Sequence, residues 1–190
     1  MPRFPPLFFE QVCAAALSVL ELHLCHCPHC GVCASLIGHG LLYGNDPHHS
    51  HTRIVRGRRL LCSGRSGRGG CGRTCPVFET HILPRHTISS AILWQFMQLC
   101  LSHSILHAWQ HTAAAFSTSC AYRIHSRILY FQDHIRSRLT QRARPPPCHS
   151  SQPRDQLIAH LAQAFPGGDP VAAFQSLFQC AFFPFPNPRS

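Results

Sequence analysis

The sequence predicts a mostly α-helical fold with weak tertiary definition, interrupted by a long irregular or disordered segment that is rich in Cys, Arg and Gly. Amphipathic patterns predict the helices, since apolar residues recur every three or four positions over 88–106 and over 124–139. Residues 46–76 contain no such pattern and many glycines, so they predict a loop or a disordered segment.

The first predicted helix covers residues 7–25, where apolar residues from Leu7 to Leu24 recur at helical spacing. The end of this stretch has an alternative interpretation as a strand, because polar and apolar residues alternate over 18–26. Periodicity does not separate the two structures in so short a run.

Two longer helices are predicted in the middle of the chain. Thr87 is the predicted N-cap of the helix that begins after Pro84, and the small residues at 113–119 interrupt it. The next helix covers 121–142 and ends before Arg144-Pro145-Pro146-Pro147, because proline disfavours helix in the residue that precedes it.

Two short helices complete the prediction. One covers 155–165, and the other begins with Asp169 as N-cap and Pro170 in the first turn and extends to Phe183. The predicted regions are an N-terminal helix with a Cys/His-rich segment (1–45), a basic disordered linker (46–80), a helical region (81–143), a Pro-rich linker (144–153) and short helices with a Pro/Phe tail (154–190).

The composition is biased along the whole chain. The formal net charge is +10, all 17 basic residues are arginines, and there are 16 His and 12 Cys. Arginine suits phosphate groups, and Cys with His suits a soft or borderline metal ion. The alternative interpretation is a GC-rich reading frame that selection has never shaped as a protein, since such a frame is also poor in lysine.

The N-terminus lacks the small-residue cleavage site of a secretory signal, so we expect a reducing intracellular compartment in which the cysteines are free or bind metal. Arg56-Gly57-Arg58-Arg59 resembles a weak nuclear import signal. Residues 88–109 carry no formal charge but include several polar side chains, which favours a buried or interfacial helix over a membrane span. The basic helix at 121–142 has three interpretations: its apolar stripe packs on the protein core, on an anionic membrane surface or in the groove of an acidic partner.

The densest chemical cluster lies between His23 and Cys33 and contains Cys-x-x-Cys twice. One turn with this spacing supplies two ligands of a tetrahedral zinc ion, so the predicted metal ligands are Cys25, Cys27, Cys30 and Cys33. Zinc signatures have a second ligand pair further along the chain. The candidates for such a pair are His48, His49, His51, Cys62, Cys71 and Cys75.

The tetrapeptide Cys27-Pro28-His29-Cys30 also resembles the active-site motif of the DsbA-like thiol oxidases in the thioredoxin superfamily. The resemblance implies that Cys27 is a low-pKa nucleophile, that His29 stabilises its thiolate and that Cys30 resolves the mixed disulfide. It covers four residues, and the flanking Cys25 and Cys33 depart from the family pattern.

A basic stretch without acidic residues lies between Asp46 and Glu79. Its Gly64–Gly70 portion is typical of short Arg-Gly segments, whose guanidinium groups contact phosphates and stack on bases. The predicted nucleic-acid-binding residues are Arg53, Arg56, Arg58, Arg59, Arg65, Arg68 and Arg73. Seven phosphate contacts predict a log–log salt slope of about −5 to −6.

No catalytic residue is predicted, because the seven acids are scattered and the sequence holds neither lysine nor a nucleophile-elbow or phosphate-loop motif. We therefore expect a non-enzymatic basic protein that associates with nucleic acid or another polyanion and binds zinc. The alternatives are a thiol–disulfide oxidoreductase acting through Cys27 and Cys30, a small membrane-associated protein, and a reading frame without a selected function.

Overall fold

The computed structural model describes residues 7–9, 22, 25–47, 52–67, 69–147 and 150–184, which form a four-stranded sheet and five α-helices. The strands are β1 (Leu7–Phe9), β2 (Leu36–Asn45), β3 (Arg53–Cys62) and β4 (Thr74–Glu79), and the helices are α1 (Ser90–Leu99), α2 (Ile105–Ala113), α3 (Thr118–Leu139), α4 (Pro153–Ala164) and α5 (Pro170–Phe178). The prediction of a mostly α fold with a disordered segment is therefore wrong, because the chain has an α/β fold.

The strands β3 and β4 lie within the predicted disordered linker at 46–80. The sheet order is β1-β4-β3-β2, with β1 parallel to β4 and the other pairs antiparallel. β3 is thus hydrogen-bonded on both sides. Near its C-terminal end its side chains alternate between buried and exposed positions, since Leu60 and Cys62 are buried and Arg59 is exposed. The arginines conceal this alternation in the sequence, and the strand is stabilised by the two neighbouring strands with which it pairs.

The predicted N-terminal helix is wrong at residues 7–9, which form the edge strand β1. The Gln179 side chain occupies the outer edge of β1, since its amide accepts from the backbone N–H of Phe8 at 2.9 Å and donates to the carbonyl of Phe8 at 2.9 Å. No other described strand pairs with this edge, and one side-chain amide takes the place of such a neighbour. Residues 10–21 and 23–24 lie outside the described residues, and so does most of the alternative strand at 18–26.

The helical predictions that follow Pro84 are confirmed in position, with changes at their ends. The first long helix is divided into α1 and α2, each of which has a serine N-cap, Ser89 and Ser104, in place of the predicted Thr87. The helices predicted at 121–142 and 155–165 correspond to α3 and α4. Asp169 caps α5 as predicted, but α5 ends at Phe178, because Gln179 adopts a left-handed conformation with φ +46°.

Within the described part of the chain, two hydrophobic cores of unequal size stabilise the fold. The larger core lies among the five helices and includes the fully buried Trp109, Ile128 and Phe174. The smaller core lies at one end of the sheet, and its buried members are Cys27, Leu36, Leu60, Cys62, Cys75 and Val77. Among the described helices, none combines the length and the apolar character that crossing a membrane requires.

Candidate metal site

Four cysteine sulfurs meet at the end of the sheet that carries the smaller core. Sγ atoms of Cys27, Cys30, Cys62 and Cys71 all lie within 4.8 Å of one another. Two of these residues come from the segment before β2, one ends β3, and one lies in the loop between β3 and β4. The chain therefore brings together thiols that are up to 44 residues apart in sequence.

The spacing of the sulfurs matches that of a tetrahedral metal site. With zinc–sulfur bonds of 2.3 Å, neighbouring sulfurs of a tetrahedron are about 3.8 Å apart. The Sγ atoms of Cys27 and Cys71 are separated by 3.8 Å, and those of Cys30 and Cys62 by 3.7 Å. These two distances are opposite edges of the tetrahedron, and both are far longer than the ~2.05 Å of a disulfide bond. The group could therefore hold a metal ion.

The first ligand pair lies on a tight turn at residues 27–31. The backbone N–H of Gly31 donates to the carbonyl of Cys27 at 2.8 Å, and the N–H of His29 points at Sγ of Cys27 at 3.4 Å. Gly31 has φ +73°, a conformation that costs other residues about 1–2 kcal/mol. His29 donates its Nε2–H to the carbonyl of Thr74 at 3.1 Å, which attaches the turn to β4.

The second ligand pair is held by the loop between β3 and β4. Its ends are joined by hydrogen bonds from the N–H of Cys62 to the carbonyl of Arg73 and from Gly72 to Cys62, each 2.8 Å long. The loop folds back so closely that a Cβ on Gly70 would lie 2.3 Å from the carbonyl oxygen of Ser63. This return places the N–H of Cys71 3.3 Å from Sγ of Cys62.

Burial raises the pKa of both buried cysteines, and hydrogen bonds from the backbone lower it. Burial raises the pKa of Cys62, but hydrogen bonds outweigh this and lower it to about 7. These bonds involve the Ser35 hydroxyl, 3.1 Å away, the N–H of Cys71 and the neighbouring thiols. Burial raises the pKa of Cys27 to about 12, despite opposing backbone hydrogen bonds. Metal binding to this group therefore releases protons.

The structure places only half of the predicted metal ligands in this group. Cys27 and Cys30 belong to it, whereas the half-buried Cys25 and the exposed Cys33 lie outside it. Among the candidates for a second pair, Cys62 and Cys71 join the group and Cys75 does not. Burial and the nearby cysteines raise the pKa of Cys75 to about 11. His48, His49 and His51 lie outside the described residues.

The environment of Cys27 differs from that of the nucleophile in a thiol oxidase. Such a cysteine is partly exposed and has a lowered pKa, often at a helix N-terminus. Cys27 is only 1% exposed, its pKa is raised by burial, and residues 28–30 form a turn. The resemblance to the DsbA-like motif stays a prediction, and this environment does not favour it.

The basic stretch includes β3, the loop that follows it and most of β4. Four of the predicted nucleic-acid-binding residues are exposed, namely Arg53, Arg59, Arg65 and Arg73. Arg58 is half-buried, Arg56 is buried at 8% exposure, and Arg68 lies outside the described residues. Tyr43 stands opposite Val55 in the β2–β3 pair, and these side chains are 57% and 45% exposed. An aromatic ring and guanidinium groups thus share the β2–β3 hairpin.

A comparison of this chain with known protein families, curated proteins and solved structures finds no match.

Proposed function

We propose that this chain is a non-enzymatic zinc-binding protein, in which a four-cysteine zinc site holds an arginine-rich hairpin that binds nucleic acid. The observation that carries the proposal is the meeting of four thiols at tetrahedral spacing from two separate parts of the chain. A pairwise contact between cysteines is common in a Cys-rich chain, but four mutually close sulfurs require the backbone to be arranged around one point.

The ligand set supports zinc. Four thiolates favour soft or borderline ions, which means zinc, iron or copper(I), over magnesium or calcium. Two opposite edges close to 3.8 Å suit a single tetrahedral ion. A mononuclear iron site has similar ligands, so the metal content of the purified chain distinguishes the two ions.

Four protein ligands also support a structural role. Catalytic zinc sites keep one position for water or substrate, whereas structural sites are closed by four side chains. Here Cys27 and Cys62 are buried, while Cys30 and Cys71 lie at the surface. The ion would join the turn at 27–31 to the end of β3 and to the loop between β3 and β4, and its binding free energy would become folding free energy.

Cobalt(II) titration of the metal-free, reduced chain tests the metal site. We expect the intense visible absorption of a tetrahedral cobalt thiolate to saturate at one equivalent and to disappear when zinc is added. Cys62→Ser and Cys71→Ser should each weaken zinc binding by at least a hundredfold. Cys33→Ser is the matched control, because it removes a nearby exposed cysteine outside the group.

The metal proposal fails if the cobalt spectrum shows no thiolate charge transfer, or if Cys33→Ser and Cys71→Ser weaken zinc binding equally. Removal of disulfides by a thiol-free reductant before the titration is essential, because four thiols this close also oxidise readily.

The charge and exposure of the hairpin support nucleic acid as its partner. No acidic residue lies between Asp46 and Glu79, so neither β3 nor the loop that follows it carries a carboxylate to offset the arginines. Guanidinium groups contact phosphates, and Tyr43 offers a ring on which an unpaired base can stack. This combination favours single-stranded nucleic acid over a duplex, whose bases are already stacked.

Fluorescence anisotropy with a labelled single-stranded RNA tests the partner. Five phosphate contacts, from the four exposed arginines and Arg58, predict a log–log salt slope of about −3.5. The double variant Arg53→Gln/Arg59→Gln should weaken binding and reduce the slope by about 1.4. Arg138→Gln/Arg144→Gln removes the same charge from exposed positions elsewhere. Equal losses in the two double variants would mean attraction to net charge alone, and a slope near zero would exclude phosphate contacts.

A further inference from the structure

A cavity of about 640 Å³ lies between α2, α3 and the segment that precedes α1, away from the cysteine group. We propose that this cavity binds a small organic anion with an aromatic body, its charged end on Arg123 and Arg127 and its ring against Trp109 and Phe116. Its volume lies within the range of about 300–1,000 Å³ that is typical of small-molecule sites.

Apolar side chains form part of the cavity wall. Trp109 is 1% exposed, and Ile88 and Ile124 are also buried. The indole N–H of Trp109 donates to the carbonyl of Phe116 at 3.2 Å, so the polar atom of the ring is already paired. Phe96 packs edge-on against the Trp109 ring and fixes its plane. A flat ring can therefore pack here without leaving a polar group of the wall unpaired.

The charged side chains that line the cavity are all cationic within the described residues. Arg85, Arg123 and Arg127 line it, and no acidic residue is among its described lining residues. Guanidinium groups bind carboxylate and phosphate through paired hydrogen bonds. An anion at this end would offset three positive charges that share one cavity.

A buried arginine beside the cavity strengthens the argument. Arg56 is 8% exposed and donates from Nη1 to the carbonyl of His86, but its Nε and Nη2 have no hydrogen-bond partner within the described part of the chain. Such a buried charge is costly unless a counter-charge offsets it. Asp46 offsets it only partly, because burial still lowers the pKa of Arg56.

His86 also lines the cavity, and its imidazole is uncharged. Its Nε2 lies 2.6 Å from Nη1 of Arg127. Since a guanidinium only donates, Nε2 accepts and the imidazole is neutral, with its proton on Nδ1. The cavity therefore presents a donor-rich, positive end and an apolar end, and an aromatic phosphate or carboxylate matches both.

Isothermal titration calorimetry on the full-length, reduced chain tests this inference with 1-naphthyl phosphate and 1-naphthoate. We expect at least one of them to bind saturably at one site per chain. Inorganic phosphate and 1-naphthol should each bind at least tenfold more weakly than the better naphthyl anion, because each supplies only half of the recognition. If neither naphthyl anion binds saturably, the inference is overturned.

Variants locate the binding site. Arg127→Gln should weaken binding at least tenfold, whereas Arg138→Gln, on an exposed turn of the same helix, should not change it. Ser126→Trp should also abolish binding, because an exposed lining residue becomes large enough to fill the entrance. This variant keeps the test valid if Arg127→Gln unfolds the chain. Equal binding by the parent chain and Ser126→Trp would place the ligand elsewhere.

Binding retained by Arg53→Gln/Arg59→Gln would show that the cavity is separate from the hairpin proposed to bind nucleic acid.

Discussion

The backbone N–H of Cys71 points at Sγ of Cys62 from 3.3 Å, and the N–H of His29 points at Sγ of Cys27 from 3.4 Å. The two cysteine pairs are therefore built in the same way, although they lie on different turns. In each pair one sulfur is buried and accepts a backbone N–H, and the other is exposed. Hydrogen bonds of this kind favour a thiolate over a thiol, which is the form that binds metal.

Ser35 is expected to strengthen metal binding through Cys62. Its hydroxyl lies 3.1 Å from Sγ of Cys62, and both residues are fully buried. Loss of such a partner typically weakens metal binding by about 10–100-fold. Ser35→Ala should therefore weaken zinc binding at least tenfold in a chelator competition assay.

Ser63→Ala is the matched control for Ser35→Ala. Ser63 is also buried and follows Cys62 directly, but its hydroxyl accepts from the N–H of Arg65 and not from a sulfur. We expect this variant to lower stability without a tenfold loss of zinc affinity. Equal losses in the two variants would contradict a role for the Ser35 hydroxyl at the sulfur.

Gly31→Ala should destabilise the chain by about 1–2 kcal/mol, because φ at this residue is +73°. A Cβ at Gly31 meets no atom within 4 Å, so the cost is conformational and involves no clash. Gly38 in β2 offers the same open space without a positive φ, which makes Gly38→Ala the control. Urea unfolding of both variants measures the difference, and equal free energies of unfolding would contradict the strained turn.

The helical half of the fold follows from local patterns in the sequence. In α3 the apolar residues recur every three or four positions, and the predicted stripe contains the buried Ile124, Ile128, Ile135 and Leu139. The capping of the helix ends is also local. The Asp169 side chain, for example, accepts hydrogen bonds from the N–H groups of Val171 and Ala172 at the start of α5. Such signals need no knowledge of distant residues.

The sheet and half of the metal site depend on pairings that the sequence does not display. β3 is a strand because β2 and β4 lie on either side of it, and its arginines hide the alternation of buried and exposed positions. Cys-x-x-Cys spacing identifies Cys27 and Cys30, since one turn supplies both. Cys62 and Cys71 are nine positions apart in sequence, and only the return of the loop at Gly70 makes them neighbours. A glycine directly before a cysteine is too weak a signal to predict this return.

Gln175 should be one of the most costly polar side chains to remove. It is fully buried in α5, where its Nε2 donates to the carbonyls of Thr80 and Ile82 and its Oε1 accepts from the N–H of Phe182. Gln175→Ala leaves these three backbone groups buried and unpaired, which should cost about 2–4 kcal/mol. Gln163→Ala, at an exposed position of α4, should cost less than about 0.5 kcal/mol.

Chemical denaturation of the two glutamine variants also tests whether the chain has a selected fold. A cooperative transition, shifted by Gln175→Ala and not by Gln163→Ala, requires a defined core around α5. A broad transition that neither variant changes would support the alternative interpretation of a reading frame never shaped by selection.

His86 should make the stability of the chain depend on pH between about 6.5 and 4. Burial lowers its pKa from the usual 6.5 to about 4, and the guanidinium groups of Arg127, Arg56 and Arg123 contribute to the shift. The Phe183 ring, 5.1 Å away, contributes to the burial. In this window the unfolded chain binds a proton at His86 and the folded chain does not. Acidification therefore favours unfolding, and the contribution of His86 to stability is constant above about pH 7 and fully lost below about pH 4.

His86→Gln isolates this contribution, because an amide oxygen still accepts from Arg127 but does not titrate. The free energy of unfolding of the variant should fall less steeply than that of the parent chain between pH 7 and pH 4.5. Burial also lowers the pKa of His125 and His134, but both proteins contain these residues, so the difference between the two pH profiles reports His86 alone. Parallel profiles would mean that His86 is not held neutral among the arginines, and the cationic end of the cavity would then carry a further charge.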